Sequence, residues 1–199
     1  HIAWYDDGNQ MGQLLYSKYD GVSWTIPELI VSTRFGLQNP DIAIGDNDNI
    51  YIVYESMELE SSNVGFVYKT NIAGQEDQWS DPQFIGVHTG ESNTPTIAVD
   101  DKGDIHIAWE DHRFGYPEIF YNKWNLENLS WEAEQRVTQT SYGAYRPSLD
   151  IYRETAYIAW TRKGADDDSS IQLSTYNSTS NIWKSSYDGT GDTEVSDSF

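Results

Sequence analysis

The 199-residue chain carries 32 acidic against 12 basic residues, a formal net charge of −20 that repels nucleic-acid phosphates and anionic lipid surfaces. It has no cysteine, which excludes a disulfide framework and thiolate chemistry, and no run of about 18 apolar residues to cross a membrane. Eight Trp and 14 Tyr, with many β-branched residues and few Leu or Ala, suit half-buried strands, because flat and branched side chains pack well on a pleated surface.

The chain opens with His1-Ile2-Ala3-Trp4, already strand-like. With neither a Met nor a charged leader there, a mature, trimmed or fragmentary N-terminus is expected. Leu15-Tyr16-Ser17-Lys18 and then Trp24 follow. From here the chain repeats itself. Pro40 heads Asp41-Ile42-Ala43-Ile44, a Gly/Asp/Asn turn leads to Ile52-Val53-Tyr54, and Val67-Tyr68-Lys69-Thr70 precedes Trp79. Pro95 heads Thr96-Ile97-Ala98-Val99, before Ile107-Ala108-Trp109, Phe120-Tyr121-Asn122-Lys123 and Trp131. Pro147 heads Ser148-Leu149-Asp150-Ile151, before Ile158-Ala159-Trp160, Gln172-Leu173-Ser174-Thr175 and Trp183. The aromatic residues at 4, 54, 109 and 160 are 50, 55 and 51 residues apart, and the other landmarks keep step.

Each unit therefore holds four short apolar runs of period two, separated by turn residues that supply local hydrogen bonds and positive φ. Four strands in about 50 residues is the size of a propeller blade. The expected fold is all-β: a β-propeller, or part of one, of about four four-stranded antiparallel blades. The units fall at about 1–35, 36–90, 91–142 and 143–199 of a single domain. The repeated Trp is expected to pack between blades, and Pro to stand at the head of the first strand. The first unit lacks its innermost strand. A segment at Thr193-Glu194-Val195, missing sequence, or a second chain in a homo-oligomer is expected to complete the ring, since open sheet edges are avoided.

Ser17-Lys18-Tyr19-Asp20-Gly21-Val22-Ser23-Trp24 resembles the Asp-box of sialidase-like (BNR-repeat) propellers, Ser-x-Asp-x-Gly-x-Thr-Trp, with the Asp displaced by one. Ile107 to Gly115, followed by Ile119-Phe120-Tyr121, is similar to a Trp-x-Asp-x-Arg-x-Gly…Ile-Tyr pattern of secreted propeller repeats. The other units keep these motifs in degenerate form. The resemblance covers nearly the whole chain and implies an extracellular or cell-surface protein. It also implies that a hydrolase of this kind would clasp a substrate carboxylate with three Arg and use a Tyr nucleophile, a Glu and an acid/base Asp. The Asp-box itself is a structural turn in that family.

In a propeller, loops entering the innermost strand and loops leaving the second strand share one rim. Arg34, Arg113, Arg146 and Arg162 stand at such positions, where a planar guanidinium could fork a carboxylate. Tyr145 adjoins Arg146, and the acid pairs Glu110/Asp111 and Asp6/Asp7 lie on the same set of loops. The ligand-binding candidates are Arg34, Glu110, Asp111, Arg113, Tyr145, Arg146 and Arg162. The plainer account is that each Arg pairs with an acid in a very acidic chain. Adjacent acids on a strand point to opposite faces.

No catalytic residue is assigned. No metal spacing is seen among the four His, and His106 reads as structural. No cofactor is expected; Asp46, Asp48 and Asp166-Asp167-Asp168 offer Ca²⁺ its hard oxygens, although turn chemistry accounts for them. Rim aromatics (Tyr5, Phe35, Phe114, Tyr116, Tyr142, Tyr145) suit stacking on sugar rings or a protein surface. The expected partner is a carbohydrate or a protein surface, not nucleic acid. The leading function is glycan recognition, the alternatives a sialidase-like glycoside hydrolase and a structural repeat of a surface assembly. Asn128-Leu129-Ser130 and Asn177-Ser178-Thr179 match glycosylation sequons.

Overall fold

The computed structural model describes residues 1–8, 11–57, 62–70, 78–86, 90–128, 130–165, 168–177 and 182–186. Among them every regular element is a β-strand apart from one short 3₁₀ turn at Asp46–Asp48. The chain divides into two compact units, His1–Pro95 and Thr96–Phe199. No described helix is long and apolar enough to cross a membrane.

In the first unit, β1 (Ile2–Asp6), β2 (Gly12–Ser17) and β3 (Glu28–Thr33) form a three-stranded antiparallel meander. It is followed by a four-stranded meander of β4 (Leu37–Ile44), β5 (Ile50–Ser56), β6 (Asn63–Lys69) and β7 (Gln83–Ile85). The second unit continues with β8 (Ser92–Val99), which begins at the end of the first, β9 (Ile105–Asp111) and β10 (Glu118–Asn125). Two short pieces, β11 (Ser130–Trp131) and β12 (Gln135–Arg136), both pair with β10. The last meander is β13 (Ala144–Tyr152), β14 (Thr155–Lys163), β15 (Ser169–Asn177) and β16 (Ile182–Ser186). Successive long strands joined by tight Gly/Asp/Asn turns pair antiparallel, as such turns require, and β11 and β12 each run antiparallel to β10. The expected closing segment at Thr193-Glu194-Val195 and the tail lie outside the described residues, as do Asp166, Asp167, Leu129 and Ser178-Thr179.

Residues paired across antiparallel strands share a face, so the register assigns each side chain. One face of the first sheet carries Ala3, Leu14, Tyr16 and Val31. It packs on Ile50, Ile52, Tyr54 and Val67 of the second sheet. In the second unit, Ala108, Ile119 and Tyr121 pack in the same way on Ile158, Trp160 and Trp183 of the last sheet. The repeated Trp has the expected role in two places. Trp79 meets Tyr16 edge-on at 5.3 Å and Trp183 meets Tyr121 edge-on at 5.0 Å. Each indole N–H donates to the neighbouring sheet, Trp79 to Glu28 Oε2 at 3.0 Å and Trp183 to Gln135 Oε1 at 2.8 Å. The other two differ: Trp131 stacks edge-on against Trp124 of its own sheet, and Trp24 is exposed beside Tyr19.

The alignment of the third strands is offset in the second sheet. Ala3, Ala108 and Ala159 pair with Tyr16, Tyr121 and Leu173, but Val53 pairs with Phe66, so Tyr68 is not the counterpart of Tyr16. A slip of two residues keeps side chains on the same face, and an alternating pattern is blind to it.

The prolines also differ from expectation. Pro40, Pro95 and Pro147 lie inside β4, β8 and β13 rather than at their heads, and β4 and β13 carry register breaks at Gln38/Asp41 and Tyr145/Ser148. The residue before each proline, Asn39, Thr94 or Arg146, has φ of 46°, 45° or 52°. A bulge can accommodate a proline that has no ladder hydrogen to give.

Gly65 pairs with Tyr54, and a Cβ built on it would stand 2.3 to 2.7 Å from the Tyr54 ring. The Tyr54 ring occupies the space a side chain would take. Gly65→Ala is expected to cost about 1–3 kcal/mol by overpacking a buried aromatic, although alanine is ordinarily the better strand residue. An unchanged urea midpoint would contradict that packing.

Candidate functional site

In the first unit, the loop after β1 and the loop between β3 and β4 meet in an open cleft of about 330 Å³. Tyr5, Asp7, Met11, Arg34, Phe35 and Gln38 line it. The approach is close because Gly12 has no side chain: a Cβ there would stand 2.4 Å from the Phe35 carbonyl. Met57 N–H donates to the Gly36 carbonyl at 3.0 Å, bringing the loop after β5 against the same segment. The rings of Tyr5 and Phe35 stay about half exposed, and Arg34 is exposed. The cleft thus combines two aromatic faces with one cation, one carboxylate and an amide.

Beside it lies Glu55, buried at the end of β5. Its carboxylate accepts from Asn39 Nδ2 at 2.9 Å, the Ser62 hydroxyl at 3.1 Å and the Thr94 N–H at 3.3 Å. Two of the three strained pre-proline residues are therefore held by one carboxylate. Glu110 repeats the arrangement in the second unit. It is the sequence counterpart of Glu55, it is buried, and its Oε1 accepts the Arg146 N–H at 2.6 Å. Glu110 is a latch for the bulge, which sequence reasoning missed in both copies. The signal was present as an acid directly after the repeated aromatic, Tyr54-Glu55 and Trp109-Glu110, two units out of four.

The remaining candidates separate into consumed and exposed groups. Asp111 is fully buried at the end of β9 and accepts from the Trp109 indole at 3.1 Å and from Arg113 through its backbone N–H, Nε and a terminal nitrogen. Arg113 also binds Glu134 Oε2 at 2.9 Å and lies over the Phe120 ring at 4.2 Å. The plainer account holds for this Arg. Burial works to raise the Asp111 carboxyl, but the Arg113 fork, the peptide N–H and the indole outweigh it and hold the group below the usual carboxylate range. Glu118, at the start of β10, is likewise buried and accepts from the Thr138 hydroxyl, Thr140 N–H and Arg136. His106 is structural as expected: it is buried, with Nδ1 2.6 Å from the Tyr121 hydroxyl and Nε2 3.2 Å from Asp100.

Tyr145, Arg146 and Arg162 share one end of the last sheet. Ala144 pairs with Arg162 and Tyr145 with Thr161, while Lys163 Nζ stands 5.5 Å from the Tyr145 ring centre. Tyr145 and Arg162 are half-buried and Arg146 is exposed. Half-exposed Phe114, Tyr116 and Tyr142 belong to loops of this unit. Asp6 accepts its own loop's Gly8 N–H at 2.7 Å, whereas Asp7 faces the cleft. At the proposed Ca²⁺ position, Asp48 binds Lys18 at 2.7 Å; among the described residues no three acids or His cluster as a metal would need. His88 lies outside the described residues.

No family model and no curated protein matches the chain. Solved structures do. A Trypanosoma rangeli sialidase aligns at a TM-score of 0.57 and 11% identity over 93% of this chain and 37% of its own. A PL25 ulvan lyase bound to a GlcA–Rha3S unit aligns at 0.57 and 13% identity, over 97% and 55%. The GH43 endo-arabinanase of Bacillus licheniformis aligns at 0.52 and 12% identity, over 92% and 73%. The chain thus spans about a third of the sialidase and about half of the lyase. At these identities the likeness is one of fold: the meanders are blades of a β-propeller type.

Two outcomes follow for the latches. Glu110→Ala leaves the Arg146 N–H without its acceptor and is expected to cost about 2 kcal/mol. Arg146→Gly relieves a left-handed backbone and should be neutral or stabilising by up to about 1 kcal/mol. Thermal melts of the two variants moving together would contradict the assignment. For Asp111, a carboxyl depressed in the fold contributes stability above its unfolded value of about 3.9 and loses it as pH falls through the folded value. Asp111→Asn should therefore cost about 3 kcal/mol at pH 7. That difference should shrink in urea titrations as pH falls from about 4 to the depressed folded value, because the carboxyl of the unfolded chain takes up its proton first.

Proposed function

We propose that this chain is a glycan-recognition module of an extracellular or cell-surface protein, with its ligand seated in the first-unit cleft. The carrying observation is the cleft itself, where Tyr5 and Phe35 present half-exposed rings next to Asp7, Arg34 and Gln38. Flat faces stack on sugar rings, while a few convergent polar groups fix the hydroxyls. The structural neighbours lend support, since a sialidase, a lyase bound to a sugar unit and an arabinanase share this fold. A chain at −20 discriminates against polyanions, so neutral oligosaccharides are the first choice of ligand. The turn after β2 fits the Asp-box reading: Asp20 caps it by accepting the Val22 and Ser23 N–H groups at 2.8 Å, with Gly21 at φ 98°.

The competing reading is a sialidase-like glycoside hydrolase. It draws on exposed Arg146 beside Tyr145 and Arg162 in the second unit. A glycan array followed by calorimetry tests the first reading. Tyr5→Ala and Phe35→Ala should each weaken binding about tenfold, the loss of one stacking contact, with melts unchanged because both rings are exposed. Failure to bind any sugar would overturn it. Turnover of a fluorogenic sialoside that is lost in Tyr145→Phe would establish the hydrolase instead.

A further inference from the structure

The charges inside the first-unit cleft follow a pattern that the overall acidity of the chain does not explain. A net charge of −20 spread over the molecule is screened beyond about 8 Å at physiological ionic strength. A choice between two similar sugars must therefore come from groups that line the cleft. Two of these carry charge, the Asp7 carboxylate and the Arg34 guanidinium, and both are exposed. Among the described residues, neither takes part in a hydrogen bond or an ion pair.

Comparable groups elsewhere are occupied. Asp6, next along the chain, is spent on the Gly8 N–H of its own loop at 2.7 Å. Arg113 binds Asp111 and Glu134, Arg136 binds Glu118, and Lys18 binds Asp48. With 32 acids to 12 bases, a cation in this chain finds a carboxylate easily. Asp7 and Arg34 share one cleft of about 330 Å³ without meeting, so both charges stay available to a ligand.

A sugar hydroxyl both donates and accepts, whereas a carboxylate only accepts. One hydroxyl of an adjacent pair can donate to Asp7 while the next accepts from Arg34. A uronate carboxylate would suit Arg34 but would set a like charge against Asp7, which costs affinity. Specificity of this kind comes as much from what a site repels as from what it holds. We propose that Asp7 fixes the class of sugar the cleft takes: with Arg34 it selects an uncharged ring bearing adjacent hydroxyls and rejects the uronate of the same sugar. This selection, which rests on the glycan reading of the cleft, belongs to the charged pair alone. Tyr5 and Phe35 treat both sugars alike, since oxidation of one exocyclic carbon leaves the ring faces unchanged.

The probes are matched β-linked oligosaccharides that carry glucose or glucuronate, and galactose or galacturonate, with affinity read by calorimetry on the whole chain. The wild type should favour the neutral member of a pair by about tenfold. Asp7→Asn should weaken the neutral sugar about threefold and strengthen the uronate about fivefold, closing the gap. Arg34→Gln should weaken both and widen it. Misfolding cannot raise an affinity, so the gain for the uronate is the diagnostic result. A wild type that prefers the uronate, or an Asp7→Asn variant with unchanged preference, would overturn the assignment and leave glycan recognition standing. Absence of binding to every member of both pairs would overturn it as well, and binding to no sugar on the glycan array would take the glycan reading with it.

Discussion

A meander with apolar side chains on both faces cannot bury itself, because each sheet hides its backbone polar groups but leaves two greasy surfaces. Sheets of this kind must be covered by others, and the sequence repeats what that covering requires. The Tyr16–Trp79 and Tyr121–Trp183 contacts are its centre. An aromatic ring of 150–250 Å² brings about 4 kcal/mol or more at the usual transfer coefficient of about 25 cal/mol/Å². The indole N–H would cancel part of this if buried alone. Glu28 and Gln135 prevent that by accepting it from the sheet next door. Sheet-to-sheet packing is thus apolar in its bulk and hydrogen-bonded at one fixed point.

Much of this was legible in the sequence because strand faces repeat with period two and the landmarks recur at about fifty residues. Ile52, Ile107 and Ile158 are core residues, and their position in the repeat says so. What pattern could not reveal was register. Phe66 and Tyr68 are both aromatic, two apart and on one face, and only the pairing of Val53 shows which one is the counterpart of Tyr16. Proline was read by its usual habit at strand ends. The left-handed residues Asn39, Thr94 and Arg146 depend on a distant carboxylate, and no local pattern announces one.

The charged residues divide in the same way. Glu55, Glu110, Asp111 and Glu118 all stand at the ends of second strands or the starts of third strands, and all are buried. A buried carboxylate is tolerated only when its lone pairs are filled, and each of these is met by backbone N–H, hydroxyl, amide or guanidinium donors. Arg113 looked like a ligand residue because it sits in a rim loop. It is spent on Asp111, Glu134 and Phe120. Sequence places a residue at the rim but does not say whether its donors are already taken. The side chains that the fold leaves exposed, Arg34, Phe35, Tyr5 and Arg146, are those with something to offer a ligand.

Asn39, Thr94 and Arg146 share one strained backbone but carry three unlike side chains. A left-handed conformation before proline costs a non-glycine residue of order 1–2 kcal/mol. The requirement is therefore on the main chain, and the carboxylates that hold it act on main-chain N–H groups in two of the three cases. Asn39 instead turns its amide back onto Glu55, so its side chain is absorbed into the scaffold. Arg146 is exposed, leaving its guanidinium at the rim with the backbone beneath it fixed. A rigid bulge with a free choice of side chain separates the two demands on the repeat. The geometry stays constant from sheet to sheet, while the chemistry at the rim can change one residue at a time without disturbing the core below.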